Sequence, residues 1–283
     1  MTPPAGSNQA ENKTLHSSGQ PSSQEAHFSD IADAYVASRR KIPATKAYHE
    51  YWHDHIHQLV QLPKEGEPDR FYQTAIYLDP MCGAGLFLDR VLKRYTIVWA
   101  CDLSPEMLDY IEPDVRKRLQ FCEKADVRDL PFEDNSVDVI VMRGGLHHVA
   151  FHMESTLKEL YRVLKPGGQL IASEPLNLPG PVTWVRNWMY ANTQIFDATE
   201  ERGLTVEEMR QQFQQAGFEH FYWEPFGHLS YALIGNTDFF PWFAWIRWPW
   251  LINGMIAFDE WSRKVPLWRQ LCWLGNFRVH KPS

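Results

Sequence analysis

From residue 74 onward the chain alternates short apolar runs with amphipathic segments, and this alternation constrains the fold more than any other feature. The apolar runs read AIYLDP, TIVWACD, LQFCEKAD, SVDVIVMR and GGQLIASEP, and helix-like sequence or a loop follows each of them. The runs are nearly continuous, as expected for strands that are buried on both faces of a parallel sheet. The pattern therefore predicts an α/β fold with a doubly wound, mostly parallel sheet.

Further elements are predicted on both sides of this unit. Apolar residues at helical spacing in FSDIADAYVASRRKIPATKAYHEYWHDHIHQLV, interrupted near Pro43, indicate two helices before the first strand. Later, TVEEMRQQFQQAGF predicts a helix with Thr205 as N-cap, Glu208 completing a capping box and Gly217 as C-cap. EHFYWEPF and CWLGNFRVHKP predict two more strands that pair with each other, which gives a seven-stranded sheet.

The domain organisation follows from composition. Residues 1–27 are poor in apolar side chains and rich in Ser, Gln and Pro, so a disordered tail is expected there. Residues 28–283 are expected to form one domain, within which 180–200 would cap the acceptor site and 228–271 would be an insertion before the last strand. The N-terminus lacks the basic start and apolar run of a secretory signal, which predicts a cytoplasmic location, including the cytoplasmic face of a membrane.

Charge and cysteine content exclude several classes of protein. The formal net charge of −7 and a sequence pI near 5.9 argue against nucleic-acid binding, because there is no overall positive field to release counterions. The cysteines are widely spaced and form no C-x-x-C motif, so neither a metal site nor a disulfide framework is predicted. Buried apolar thiols are expected instead.

Seven of the twelve tryptophans lie between Trp242 and Trp273, interleaved with basic residues. Pro241, Arg247 and Pro249 make a membrane-spanning helix an unfavourable interpretation of this stretch. Aromatic rings beside basic side chains suit peripheral contact with a bilayer interface. An aromatic lid over the active site and a dimer contact are the alternatives, since exposed aromatic patches have several uses.

The turn after the first predicted strand, DPMCGAG, is the expected cradle for a ligand. Gly83 and Gly85 permit positive φ and close backbone approach, and Asp79 places a carboxylate beside the ligand. A dinucleotide-binding loop would carry a third glycine at position 88, where this chain has Leu88. The dinucleotide pattern therefore fails.

Two further acids end the next two predicted strands. Asp102 can accept hydrogen bonds from both hydroxyls of a ribose, and Asp126 can accept one from an adenine amino group, with the N–H of Val127 available to a ring nitrogen. No run of Lys or Arg lies nearby to neutralise phosphates. Three acids at three consecutive strand ends indicate a ligand with amine and ribose donors and no phosphates.

These motifs resemble class I S-adenosylmethionine-dependent methyltransferases over residues 28–225, and LPFEDNSVDVI and LHHV are closest to the group that includes ubiquinone/menaquinone-biosynthesis and other small-molecule methyltransferases. The resemblance implies S-adenosyl-L-methionine as cofactor. The residues it assigns to the methionine portion are Asp79, Gly83, Ala84 and Gly85, with Arg143 and Gly144 bordering the sulfonium. It assigns Asp102 to the ribose, Leu103 or Met107 to the adenine face, and Asp126 and Val127 to the adenine edge.

Two points of this resemblance concern single residues. Met81 stands where the family's first glycine is usual, and its side chain would narrow or shift the methionine side of the pocket. Tyr35 and Arg39 match an N-terminal element that often closes over the cofactor. Arg39 could pair with the cofactor's carboxylate, or it could be a solvated helix residue.

Candidate catalytic residues follow the fourth and fifth predicted strands. His147 and His148 are the nearest potential bases, and Glu174 and His228 are further pocket candidates. A structural role, with one ring packed under the loop and the other lining the pocket, is the alternative for the histidine pair. Trp184, Trp188 and Tyr190 predict an apolar acceptor site.

The C-terminal half also resembles, more loosely, methyltransferases of envelope glycan or lipid-linked biosynthesis. The leading hypothesis is thus a methyltransferase acting on a small apolar, aromatic or lipid-linked acceptor. A catalytically silent relative that docks to a membrane or a partner protein through its tryptophan-rich region is the alternative. A nicotinamide-dependent oxidoreductase is a third hypothesis, which the missing third glycine disfavours.

Overall fold

The structure is a computed structural model that describes residues 23–63, 68–177, 182–185, 203–238 and 240–283. Seven strands form one sheet. Their bounds are β1 Ile76–Asp79, β2 Ile97–Asp102, β3 Phe121–Lys124, β4 Val137–Arg143, β5 Leu164–Pro175, β6 Glu219–Phe226 and β7 Leu274–His280. The predicted seven-stranded, mostly parallel sheet is therefore confirmed.

Helices cover both faces of the sheet. Their bounds are α1 Ser23–Lys41, α2 Pro43–His57, α3 Pro68–Thr74, α4 Leu88–Val91, α5 Pro105–Asp109, α6 Pro113–Arg116, α7 Met153–Val163, α8 Val206–Gln215 and α9 Pro249–Ser262. Short 3₁₀ segments span Leu146–His152, Pro241–Trp245 and Trp268–Leu271, and a π-helical turn spans Tyr231–Gly235.

The strand order is β3-β2-β1-β4-β5-β7-β6, and β7 alone runs antiparallel to its two neighbours. The chain passes from β1 outward to β2 and β3 and then returns to place β4 on the other side of β1. This reversal between β1 and β4 is the topological switch point at which doubly wound sheets bind ligands.

The two helices predicted before β1 are present. α1 ends at Lys41 and α2 begins at Pro43, where proline is tolerated because the first helical N–H needs no partner. α1 begins at Ser23, inside the stretch 1–27 that was predicted to be a tail, and the rest of that tail lies outside the described residues.

The capping prediction for the late helix is confirmed at its start. The Thr205 hydroxyl accepts from the N–H of Glu208 at 3.1 Å, and the Glu208 carboxylate accepts from the N–H of Thr205 at 2.8 Å. At the other end Ala216 is the C-cap, and Gly217 follows it with a φ of +96°. The C-cap is therefore one position earlier than predicted, and Gly217 is the left-handed residue that commonly follows the end of a helix.

The core has one layer on each face of the sheet. On β5, Leu170 and Ala172 point into the layer beneath α7 and α8, while Ile171 points into the layer beneath α2. Burial of both faces explains why the strand sequences are continuously apolar. From α2, Tyr48 and Ile56 are fully buried, so this helix is anchored against the sheet beside the switch point.

The tryptophan-rich insertion begins where β6 ends and finishes where β7 begins. In the strand pairing, Phe226 of β6 and Pro175 of β5 both lie opposite Leu274, the first residue of β7. The insertion therefore emerges at the carboxyl ends of β5 and β6. Within the described part of the chain, no helix combines the length and apolar character needed to cross a membrane.

Candidate active site

A cavity of about 220 Å³ opens at the carboxyl ends of β1, β2 and β4. Its wall includes every residue predicted to bind the cofactor except Arg39. These residues are Tyr35, Asp79, Met81, Gly83, Ala84, Gly85, Asp102, Leu103, Met107, Asp126, Val127, Arg143 and Gly144. Residues spread over more than a hundred positions of the sequence are thus gathered at the switch point.

The glycine turn between β1 and α4 forms one side of the cavity. Gly83 and Gly85 have φ values of +52° and +61°, which residues other than glycine rarely adopt. A Cβ at Gly85 would lie 2.7 Å from Ile111 Cγ1, so this position needs glycine for space as well as for conformation. The N–H of Gly83 donates to Asp102 at 2.7 Å and ties the turn to the end of β2.

Met81 does not distort this turn. Its φ is not positive, and its N–H donates to the Asp79 carboxylate at 3.4 Å. Its side chain packs towards the loop after β4, where a Cβ at Gly145 would lie only 3.0 Å from Met81 Sδ. The methionine therefore occupies space left by a glycine on the neighbouring strand end, and Gly83 and Gly85 keep their conformations.

The three acids at the strand ends differ in their surroundings. Burial raises the pKa of Asp79 to about 7, although Arg143 opposes the shift. Burial also raises the pKa of Asp102, offset in part by hydrogen bonds from the N–H groups of Ser104 at 3.0 Å and Gly83. Both carboxyl groups are thus held against the cavity by the backbone around them.

Asp126 lies in a more polar setting. Burial alone would raise its pKa, but hydrogen bonds from Arg128 lower it overall. The Arg128 Nε lies 2.9 and 3.0 Å from the two carboxylate oxygens. Asp126 is therefore ionised and can act only as a hydrogen-bond acceptor at neutral pH.

Arg143, the last residue of β4, brings a cation into the cavity wall. Its guanidinium carbon lies 3.6 Å from the centre of the Phe87 ring and 5.1 Å from that of Trp52. Its Nη1 atom is buried and has no hydrogen-bond partner. Burial lowers the pKa of Arg143 to about 10, which still leaves it charged at neutral pH. A buried charged donor without a partner is a position where an anionic ligand group would be stabilised.

Arg39 is engaged elsewhere. It is buried, it donates to Asp238 at 2.8 Å and its guanidinium stacks on Tyr35 at 3.6 Å. It is therefore not a solvated helix residue, and its side chain does not contribute to the cavity wall. His228 also lies outside that wall, with its ring stacked on Trp268.

The candidate catalytic residues have different positions. Glu174 is fully buried and accepts from the N–H groups of Gly145 at 3.0 Å, Leu146 at 2.9 Å and His147 at 3.2 Å. Its second oxygen also lies 2.8 Å from His147 Nδ1. Neither Glu174 nor His147 lines the cavity, whereas His148 does. Glu174 and His147 thus hold the loop after β4, and His148 faces the cavity.

Helix α2 contributes a residue that sequence reasoning missed. His53 lines the cavity, and its ring stacks on Phe87 with centroids 4.9 Å apart. Burial, followed by the neighbouring His57, lowers the pKa of His53, so this imidazole is neutral. The signal in the sequence was the spacing of His49, His53 and His57, four residues apart on one helix face.

Much of the predicted acceptor cap lies outside the described residues. Of the segment 180–200 only 182–185 are described, and Trp184 is exposed there. Trp188 and Tyr190 fall in the part that is not described. Among the residues that the structure describes, no group of three or more His, Cys, Asp or Glu side chains could hold a metal ion.

Comparison with known proteins adds a family. Residues 78–172 match a family model described as a methyltransferase domain. Together with the fold and the pocket, this match, which spans about a third of the chain, supports a class I S-adenosylmethionine-dependent methyltransferase domain.

Particular relatives share parts of the chain. A demethylmenaquinone methyltransferase of Bacillus licheniformis is 31% identical over 130 residues, 44% of this chain and 52% of that protein. A ubiquinone/menaquinone biosynthesis C-methyltransferase of Cereibacter sphaeroides is 33% identical over 147 residues, 48% of this chain and 55% of that protein. The matched region spans about half the length of these two curated relatives.

Solved structures share the fold. A structure from Thermotoga maritima, described as a possible histamine N-methyltransferase, superposes with a TM-score of 0.59 at 17% identity. The superposition covers 90% of this chain and 98% of that one. At this level of identity the likeness establishes the architecture and nothing about the acceptor.

Proposed function

We propose that the protein transfers the methyl group of S-adenosylmethionine to a small apolar or aromatic acceptor, including a lipid-linked one, in a biosynthetic reaction. The observation that carries the proposal is the cavity itself. Asp79, Asp102 and Asp126 come from three adjacent strand ends and face one space beside a glycine turn. That set of acceptors fits the amine, ribose and adenine donors of the cofactor.

The residues of the cavity fit the cofactor portion by portion. Asp102 would accept from the ribose hydroxyls, while Asp126 and Val127 would meet the adenine edge. The buried Met107 would pack on the adenine face. When bound, S-adenosylmethionine supplies a methyl group that is already activated on a sulfonium.

The amino-acid portion needs partners for two opposite charges. An ionised Asp79 would pair with the α-amino group. We propose that Arg143 pairs with the α-carboxylate, because its Nη1 atom is buried without a partner while Arg39 is held by Asp238. This assignment differs from the sequence-based expectation, in which Arg39 could serve the carboxylate and Arg143 would border the sulfonium.

The protein's contribution to rate would then be mainly positional. Holding two reactants in line can supply roughly 7 to 11 kcal/mol of the barrier. His148 and His152 both line the cavity from the segment after β4, and His148, the candidate base from the sequence, would accept a proton from an acceptor hydroxyl or acidic carbon. The quinone-related names of the two curated relatives support an aromatic acceptor.

The position of Met81 bears on the silent-module alternative. That hypothesis rested on a damaged cofactor loop, and the Met81 side chain instead packs against Gly145 while the loop glycines keep their positive φ. A loop with this geometry supports cofactor binding.

Asp102 provides the direct test of the proposed site. Calorimetry is expected to show binding of S-adenosylhomocysteine and not of NADH. Asp102→Ala should weaken the binding of S-adenosylhomocysteine by about 10- to 150-fold, because charge-assisted hydrogen bonds contribute about 1.5 to 3 kcal/mol. Asp109→Ala is the matched control, since Asp109 lies at the end of α5 and outside the cavity wall. Unchanged affinity in Asp102→Ala, or no binding by the folded wild type, would refute the proposal.

Cofactor affinity should also depend on pH through Asp79. Burial holds the pKa of this acid at about 7, so the carboxyl is largely protonated below that pH and ionised above it. The cationic α-amino group prefers the ionised form. Affinity for S-adenosylhomocysteine should therefore rise as pH increases, by up to about tenfold per unit below the pKa, and level off above it. Calorimetry from about pH 5.5 to about pH 8 measures this, and Asp79→Asn should flatten the profile.

A further inference from the structure

The tryptophan-rich insertion presents an aromatic surface that the proposed methyl transfer does not use. We define the tryptophan surface as Trp242, Trp245, Trp248, Trp250 and Trp261. Trp242, Trp245 and Trp250 are 71%, 81% and 73% exposed. Indole rings this exposed contribute almost nothing to the protein's own core, although each could bury a large apolar area against a partner.

Helix α9 continues this surface without a charge. Its exposed positions include Trp250, Asn253, Gly254, Ala257 and Trp261, which follow one another at helical spacing. A helix on the surface of a globular protein usually places charged residues on its solvent side. Here the acids of the helix turn away from it: Asp259 is buried and accepts from the N–H groups of His228 and Ser230, and Glu260 pairs with Arg263 at 2.7 Å.

The charges that remain exposed around the surface are basic. Residues 240–273 contain four basic and two acidic side chains, a formal charge of +2 in a chain whose total is −7. Arg247 is exposed between Trp245 and Trp248. Lys264, two residues after the end of α9, is 70% exposed, with its Nζ atom 3.9 Å from the Glu260 carboxylate. The local sign is thus opposite to that of the whole protein and complementary to an anionic surface.

The insertion that carries the tryptophan surface is attached to the sheet at the edge where the cavity opens. The insertion leaves β6 at Phe226 and rejoins the sheet at Leu274, at the edge where the carboxyl ends of the parallel strands lie. The exposed Phe151 and Trp184 follow the carboxyl ends of β4 and β5 at that edge. Exposed aromatic residues therefore occur in segments that leave the sheet at the edge at which the cavity opens.

We propose that the tryptophan surface docks the protein on the interface of an anionic phospholipid bilayer, with the indoles at headgroup level and Arg247 and Lys264 against lipid phosphates. Tryptophan is favoured at that depth because its ring is apolar and its N–H can still reach a polar partner. Docking in this way places the sheet edge that carries the cavity next to the membrane. The inference goes beyond methyl transfer and does not depend on it.

Vesicle sedimentation of the full chain tests the inference. The wild type should pellet with vesicles of phosphatidylcholine and phosphatidylglycerol, and less with phosphatidylcholine alone. The double variant Trp245→Ser/Trp250→Ser should reduce the bound fraction by about tenfold or more, because it removes two highly exposed indoles from the membrane interface. Arg247→Glu/Lys264→Glu should abolish the preference for phosphatidylglycerol.

The controls separate docking from folding and from self-association. Tyr222→Ser removes an exposed ring from β6, outside the insertion, and should leave vesicle binding unchanged. Thermal unfolding and S-adenosylhomocysteine affinity of the tryptophan variant should match the wild type. Failure of the wild type to bind either vesicle, or equal binding by the tryptophan variant, would overturn the inference. A wild-type dimer that the tryptophan variant dissociates, without vesicle binding, would also overturn it by assigning the surface to a second copy.

Discussion

Replacing Glu174 with alanine is expected to lower the free energy of unfolding by about 3 to 5 kcal/mol, because it removes the buried acceptor of several N–H groups. The N–H groups of Gly145, Leu146 and His147 all point at its two oxygens, and none of them is part of a strand or α-helix ladder. Water cannot replace the carboxylate without entering a fully buried position.

Urea denaturation measures this loss, and two further variants sharpen it. Glu154→Ala removes an exposed acid that pairs with Lys158 on α7, and should cost less than about 1 kcal/mol. Glu174→Gln keeps the shape of the side chain and one acceptor oxygen, but it turns an NH₂ group towards the N–H donors. Its loss of unfolding free energy should therefore lie between those of Glu154→Ala and Glu174→Ala. A stable Glu174→Ala protein that binds cofactor and transfers no methyl group would instead assign Glu174 a catalytic role.

Local sequence signals predicted the elements of the fold well. The capping box of Thr205 and Glu208, the break between two helices near Pro43 and the continuous apolar strands each depend on neighbours in sequence, and each was confirmed. The residues of the glycine turn and the strand-end acids could be placed together because parallel strands end at one edge of a sheet.

The features that sequence did not reveal depend on contacts between distant segments. Arg39 and Asp238 are 199 positions apart, and nothing near either residue indicates that they pair. Glu174 reaches back to the loop after β4, so an acid at a strand end could be taken equally well for a catalytic group or for a loop anchor. His53 enters the cavity from α2, a helix whose packing on the sheet is decided by the whole core rather than by a motif.

These non-local contacts change which cation should bind the carboxylate of the cofactor. S-adenosylhomocysteine and its decarboxylated analogue differ in that carboxylate alone. Arg143→Gln is expected to weaken S-adenosylhomocysteine by about 30- to 1000-fold, or about 2 to 4 kcal/mol, because a buried carboxylate would lose its charged partner. The affinity of the decarboxylated analogue should change little, since it never makes that contact.

Arg39→Gln provides the matched comparison, because Arg39 is held by an ion pair with Asp238 outside the cavity wall, whereas Arg143 lines the cavity and its buried Nη1 atom has no hydrogen-bond partner. Loss of the Asp238 pair should destabilise the fold and weaken both ligands by a similar factor. Arg143→Lys should recover part of the selectivity, since an ammonium keeps the charge but not the planar pair of donors. If Arg39→Gln rather than Arg143→Gln removed the preference for the carboxylate, the pair with Asp238 would have to open on binding, and the unpaired Nη1 atom of Arg143 would face the acceptor instead.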